Sequence, residues 1–374
     1  MTTWLMRFDV TGDGPRLAVK DCIDLAGTVT TAGCPVLAGR AEPATADAPV
    51  VTTARQAGAR IVGKANLTEL CWSADGVNEW SGTPVNPLDS RLLPGGSSSG
   101  SAVAVAAAEA DVGYGTDTGG SVRVPAACCG IVGLKTSWGR IPLTGVYPLA
   151  PSLDTVGPLG RDVAAVELGM RLLEPGFAAP AAGDGPVTVG RLRAVNSPRD
   201  VEPEIDAAID AALTAAGFSA QDVTGFDFTA AGRAVARIID REGYLSNRHL
   251  LPDVARLREH NQRNMREGAA LTEADLAPAR AAQRALRAQF DAALVRYPVL
   301  ALPTLPTPPP QLGTRGNRLT ALTAPANLVG LPALSLPVPT ASGLPASLQL
   351  IGPHGGEERL IAAGRTVEAA LAVR

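Results

Sequence analysis

An α/β architecture, with helices packed on a sheet, is what this sequence predicts. Three observations carry the prediction. Short apolar runs alternate with turn signals from about residue 16 to 70, a nearly uncharged small-residue stretch over 99–110 leads into another apolar run, and strand-like runs return near the C-terminus. Taken in order, 17–19 reads as a strand, 47–57 as a helix, and 60–63 as the strand that follows the turn at Ala57-Gly58-Ala59. Residues 99–110 are rich in Ala and Val, which suits a helix buried on nearly all sides. A short strand over 112–115 and a loop over 116–120 come next. After Ser121, Val122-Arg123-Val124-Pro125 opens another helix, because proline is tolerated in a first turn but not deeper. Ser121 then stands at the positive end of a helix dipole, which favours a developing anion. From about 200 to 297 the sequence turns Ala/Arg/Glu-rich with helical periodicity, as in Ala230 to Ile239, and predicts peripheral helices that form a lid. Strands return at 299–303 and 333–337, a final helix starts near Glu357, and the proline-rich 303–310 is a loop near the site.

The 374 residues exceed the usual single core, yet a large α/β enzyme of this length folds as one domain. The expected division is one domain over 1–374, with a catalytic core at 1–170, a helical lid-like region at 200–297 and a C-terminal core portion at 298–374. A net charge of −3 gives no reason to expect nucleic acid or an anionic membrane as partner. The N-terminus lacks the apolar core of a signal peptide, and no 18-residue apolar run free of charges or breakers follows, so the expected location is cytoplasmic. Five cysteines without metal-ligand spacing fit reduced thiols rather than a disulfide framework or a metal site, and the adjacent Cys128 and Cys129 read as small core residues.

The stretch from Pro94 to Thr136 carries the chemistry. Gly95-Gly96-Ser97-Ser98-Ser99-Gly100-Ser101 is followed by Gly115-Thr116-Asp117-Thr118-Gly119-Gly120-Ser121. A serine after paired glycines has a bare backbone around it, so a substrate carbonyl can approach and meet free N–H groups, as acyl transfer requires. Lysine use points the same way. Of 33 basic residues only Lys20, Lys64 and Lys135 are lysine. Arginine keeps its proton in proteins, whereas a buried lysine can become neutral and serve as a base. Lys20 follows the apolar Leu17-Ala18-Val19 and precedes Asp21, so it reads either as such a base or as an ion pair with Asp21 or another carboxylate.

Rival chemistries fit less well. The three histidines are His249, His260 and His354, two of them in the helical section, and both Ser97 and Ser121 follow Gly-Gly rather than standing in a Gly-x-Ser-x-Gly elbow. The glycine run lacks the Gly-Lys-Ser/Thr ending of a phosphate loop. Serines with a lysine remain.

These two glycine-serine motifs, together with Val122-Arg123-Val124-Pro125, Cys129-Gly130-Ile131-Val132-Gly133-Leu134-Lys135 and the upstream Val19-Lys20-Asp21, resemble the amidase signature family. The likeness is strong over roughly 16–170. It extends to Ala324, Asn327, Gly330-Leu331-Pro332-Ala333 and Gly343-Leu344-Pro345 near the C-terminus. The resemblance implies a central mixed, twisted β-sheet flanked by helices on both faces, and a Ser-cisSer-Lys triad. Ser121 is then the nucleophile, Ser97 the bridging serine and Lys20 the base, with Thr118, Gly119, Gly120 and Ser121 lending backbone N–H groups to an oxyanion hole. Asp117 and Arg123 brace the loop, and neither cofactor nor metal is implied.

The resemblance further implies a small-molecule amide as substrate. Ser152-Leu153-Asp154-Thr155-Val156-Gly157-Pro158 looks most like amidases of the indoleacetamide hydrolase type, close to carboxybiuret and allophanate hydrolases. Cys71 and Trp72 stand where relatives line the acyl pocket; Trp72 either stacks on a flat substrate or is a core residue. Lys64 is expected to be structural, in an ion pair with Glu69. Lys20 comes earlier in the chain than in many members of the family, which implies surface covered by a second copy or a small partner subunit. Two other function classes stay open: the amidase subunit of a complex, such as a glutamine amidotransferase, and a non-catalytic amidase-like receptor.

Overall fold

A computed structural model describes residues 2–181, 188–193, 201–314 and 318–372. The strands are β1 (Trp4–Arg7), β2 (Arg16–Lys20), β3 (Arg60–Ala65), β4 (Val112–Thr116), β5 (Val132–Lys135), β6 (Val156–Gly160), β7 (Thr188–Leu192), β8 (Ser219–Val223), β9 (Leu300–Pro303), β10 (Ala333–Val338) and β11 (Ala346–Ile351). They form one 11-stranded sheet in the order β1-β3-β2-β4-β6-β5-β10-β11-β9-β7-β8. The sheet is mixed: β2 runs parallel to both β3 and β4, β7 to both β8 and β9, and the remaining pairs are antiparallel. Every residue of the central β4, β5 and β6 is buried, which explains their apolar, glycine-containing sequences without polar alternation.

The helices are α1 (Pro35–Ala38), α2 (Pro49–Gln56), α3 (Ser99–Ala106), α4 (Arg123–Cys129), α5 (Val163–Leu173), α6 (Pro203–Ala215), α7 (Phe228–Asn247), α8 (Glu259–Ala270), α9 (Glu273–Arg296), α10 (Ala324–Leu328) and α11 (Glu357–Ala372). They flank the sheet as the α/β reading requires. Seven of the eight residues of α3 are buried, and it stops a turn short of the expected Ala110 because Ala108 takes a φ of 59°. Helix α2 starts at Pro49 rather than Asp47, with the proline in its first turn.

The stretch expected to be helical over 200–297 needs correction. Its first residue, Asp200, lies outside the described residues, and it contributes β8 to the sheet edge. Four of the five β8 residues are exposed and three of those are polar, so the apolar periodicity that marks a strand is missing.

Candidate active site

The site lies at the carboxyl ends of the parallel strands β2 and β4. Their register pairs Val19 with Tyr114, so Lys20 ends one strand beside Thr116 at the end of the other. Lys20 is fully buried, and its Nζ donates to Ser97 Oγ and Thr116 Oγ1, both at 2.7 Å. Among the described residues it has no carboxylate partner.

Asp21 pairs instead with Lys64, Nζ to Oδ1 at 2.7 Å, which overturns both the Lys20–Asp21 and the Lys64–Glu69 alternatives. The β2–β3 register sets Lys64 opposite Val19, within reach of Asp21, whereas Glu69 lies beyond β3 in a 3₁₀ turn. Glu69 accepts from Asn261 Nδ2 at 2.7 Å and from the Arg258 N–H at 2.8 Å. Burial pushes the Asp21 carboxyl up, and Lys64 partly offsets this. Lys135 donates to the carbonyls of Thr136 and Leu331, both at 2.9 Å, and burial lowers its amine to about 7. All three lysines are therefore buried, and Lys20 alone among them touches the motif serines.

Ser97 follows a cis Gly96–Ser97 peptide bond. A Cβ on Gly96 would lie 2.7 Å from both Gly76 N and Thr68 Oγ1, so the loop closes only on glycine. The two serine loops meet where Ser98 N–H donates to the Ser121 carbonyl at 3.2 Å. Ser121 is 6% exposed, and among the described residues no hydrogen bond joins its Oγ to Ser97 Oγ. The first link of a Lys-Ser-Ser chain is formed and the second is open. A hydroxyl reorients by rotation about one bond, and such catalytic contacts often tighten only around substrate.

The loop 118–121 leaves four consecutive backbone N–H groups that donate to no acceptor among the described residues. It is fixed from behind. Gly120 has φ 139° and would bring a Cβ to 2.2 Å from Thr323 Oγ1, whose hydroxyl donates to the Gly119 carbonyl at 2.7 Å. Thr118 Oγ1 donates to Asp154 Oδ1 at 2.6 Å, and burial raises the Asp154 carboxyl to about 6. Asp117 and Arg123 form a fully buried ion pair at 2.9 Å, and Arg123 also reaches Gln349, Asn327 and the Thr323 carbonyl. Burial alone would raise Asp117, but Arg123 outweighs it and holds the carboxyl well below the usual range.

Cys71 lies against Thr116, the residue beside Lys20. Its Sγ is 3.9 Å from Thr116 Oγ1. Trp72 is 4% exposed; its carbonyl faces His260 Nε2 at 3.0 Å, and a Cβ on Gly243 of α7 would fall 2.5 Å from its ring. Trp72 is thus packed under α7 and α8 and almost wholly buried. Residues that sequence reasoning missed are Thr116, Asp154 and Ile239 of α7, whose Cδ1 lies 3.7 Å from a Cβ built on Gly119. Thr116 and Asp154 had a signal: Thr116 stands one residue past the strand expected beside the lysine strand, and Asp154 lies within the family-like stretch 152–158.

The family model described as Amidase matches residues 14–361. The chain belongs to the amidase family. Among relatives, the rice protein named Amidase 1 is 33% identical over 93% of this chain and 88% of its own length. A glutamyl-tRNA(Gln) amidotransferase subunit from Halobacterium salinarum is also 33% identical, over 95% of each chain. A solved amidase crystal structure superposes with TM-score 0.86 at 32% identity, covering 96% of this chain and 84% of that one. The activity class that goes with this amidase is hydrolysis of amide C–N bonds. Among the described residues no helix is long and apolar enough to cross a membrane.

Proposed function

We propose that this amidase hydrolyses a small carboxamide through an acyl-Ser121 intermediate, with Ser97 as proton bridge and Lys20 as base. The observation that carries the proposal is the 2.7 Å contact between Lys20 Nζ and Ser97 Oγ at a buried position with no carboxylate partner among the described residues. Among the described residues no carboxylate competes with the two hydroxyls for that amine. Thr116 Oγ1 accepts one N–H of that amine, which leaves the nitrogen lone pair for Ser97.

As Ser121 Oγ attacks the amide carbonyl, its proton passes to Ser97 while the Ser97 proton passes to Lys20. The developing oxyanion meets the free N–H groups of 118–121. Collapse breaks the C–N bond, and the same chain run backwards protonates the leaving ammonia or amine. Water then hydrolyses the acyl-enzyme by the same route. Cys71 and Trp72 line the acyl side, and the helical region 200–297 acts as the lid, with Ile239 resting over the oxyanion loop.

Ammonia release from a panel of simple amides by the purified chain alone tests this reading. Wild type releases ammonia, and a folded Ser121→Ala variant releases none; turnover by that variant, or inertness of folded wild type towards every amide, refutes it. The 33% identity to an amidotransferase subunit over nearly its whole length favours a second reading, in which glutamine is the amide and a partner subunit receives the ammonia. Glutamine turnover that needs an added partner selects that reading.

A further inference from the structure

Two of the five cysteines stand beside the base, and catalysis does not use them as a pair. Cys22 lies two residues past Lys20, and Cys71 sits in a left-handed turn, φ 58°, after β3. Both sulfurs rest on one oxygen: Cys22 Sγ is 3.7 Å and Cys71 Sγ 3.9 Å from Thr116 Oγ1, the hydroxyl that holds Lys20 Nζ at 2.7 Å.

We propose that Cys22 and Cys71 are an oxidative modification site, at which a hydroperoxide closes an intramolecular disulfide and inactivates the enzyme. Cys71 is the attacking sulfur. The neighbouring Cys22 thiol, opposed by burial, pulls the Cys71 thiol down, while burial pushes Cys22 well up. Cys34, Cys128 and Cys129 are also raised by burial, to about 11, to about 12 and well above the usual value. Cys71 is 5% exposed and Cys22 has no exposed surface, so a small oxidant meets Cys71 first.

The Cys71 thiolate attacks one peroxide oxygen, the O–O bond breaks, and Cys71 sulfenic acid forms with release of hydroxide or alkoxide. Cys22, giving its proton to the departing hydroxyl, then attacks the Cys71 sulfur and expels water. The two thiols lose two electrons and the peroxide gains them. Drawing both sulfurs to a bond of ~2.05 Å pulls them off the Thr116 hydroxyl and disturbs the group that orients Lys20.

The reduced full-length protein, treated with hydrogen peroxide and digested without reductant, tests this by peptide mass spectrometry. A Cys22–Cys71 crosslink is expected, with intact protein lighter by two hydrogen atoms. Amide hydrolysis falls about a hundredfold, the scale of loss that small displacements near the chemistry cause, and returns with dithiothreitol. In Cys22→Ala the crosslink is absent and Cys71 accumulates as sulfenic acid that dimedone captures. Peroxide that fully oxidises a free thiol control yet leaves both cysteines alkylatable after unfolding overturns the proposal, as does a crosslink that leaves turnover unchanged. The mass readout does not need the hydrolase reading to hold, so the two fail separately.

Discussion

Replacing Lys20 by arginine removes the proposed base and puts a permanently charged group in its place. The native amine is fully buried and ends 2.7 Å from two hydroxyls, with no carboxylate partner among the described residues. A guanidinium there cannot give up its proton, and it brings a larger fork of donors into a space fitted to one nitrogen. General acid-base catalysis contributes ~10²–10⁴-fold, so the expected loss in kcat/KM is ~2.7–5.5 kcal/mol of transition-state stabilisation at ~1.36 kcal/mol per tenfold. Lys20→Met provides the neutral comparison. It leaves two buried hydroxyls without their amine, at ~1–3 kcal/mol of stability each. The assay is kcat/KM at neutral pH for an amide and its matched ester, with urea unfolding to verify the fold. The amide suffers the larger loss, since its amine must be protonated to leave. A folded Lys20→Arg enzyme within an order of magnitude of wild type on the amide refutes the base assignment.

Arg123→Met strands Asp117 as a buried charge and is expected to cost ~3–5 kcal/mol in urea unfolding; an unchanged midpoint contradicts the bracing role. Asp154 makes activity fall as pH drops through about 6, because the protonated carboxyl can no longer accept all three of its donors, Thr118 Oγ1 and the N–H groups of Leu149 and Ala150. Its stability effect has the opposite sign. A carboxyl raised in the fold binds its proton more tightly there than when unfolded, so from pH 7 towards 4 wild type gains stability relative to Asp154→Asn. An acid limb that survives unchanged in Asp154→Asn removes Asp154 from the site. Gly243→Ala sets a methyl 2.5 Å from the Trp72 ring and should raise KM for amides more than it lowers kcat; equal KM in both proteins shows that Trp72 does not shape the pocket.

The motif residues and the α/β class were legible because each follows from a local rule. Paired glycines mark close approach of backbone, uncharged Ala/Val runs mark a buried helix, and a lysine in an arginine-rich chain marks a buried amine. Among the described residues no acceptor meets the four N–H groups of 118–121, and Arg123 pairs with Asp117. What the sequence hid depends on register and on distant chain. Which lysine pairs with Asp21 is decided by how β2 and β3 align, and neither strand encodes that alone. Asp154 reaches Thr118 from 36 residues away, and Ile239 reaches the oxyanion loop from a helix whose periodicity says only that one face is buried. Strand β8 escaped because its polar edge carries no apolar pattern.

Acyl transfer to Ser121 is open to direct observation. Turnover of a slowly deacylating ester or amide, quenched in acid and digested, is expected to give one peptide heavier by the acyl group, with the modification on Ser121 and absent from Ser121→Ala. Steady turnover with the acyl group on Ser97, Ser98 or Cys71, or with no acylated peptide under conditions that trap a control serine hydrolase, contradicts it.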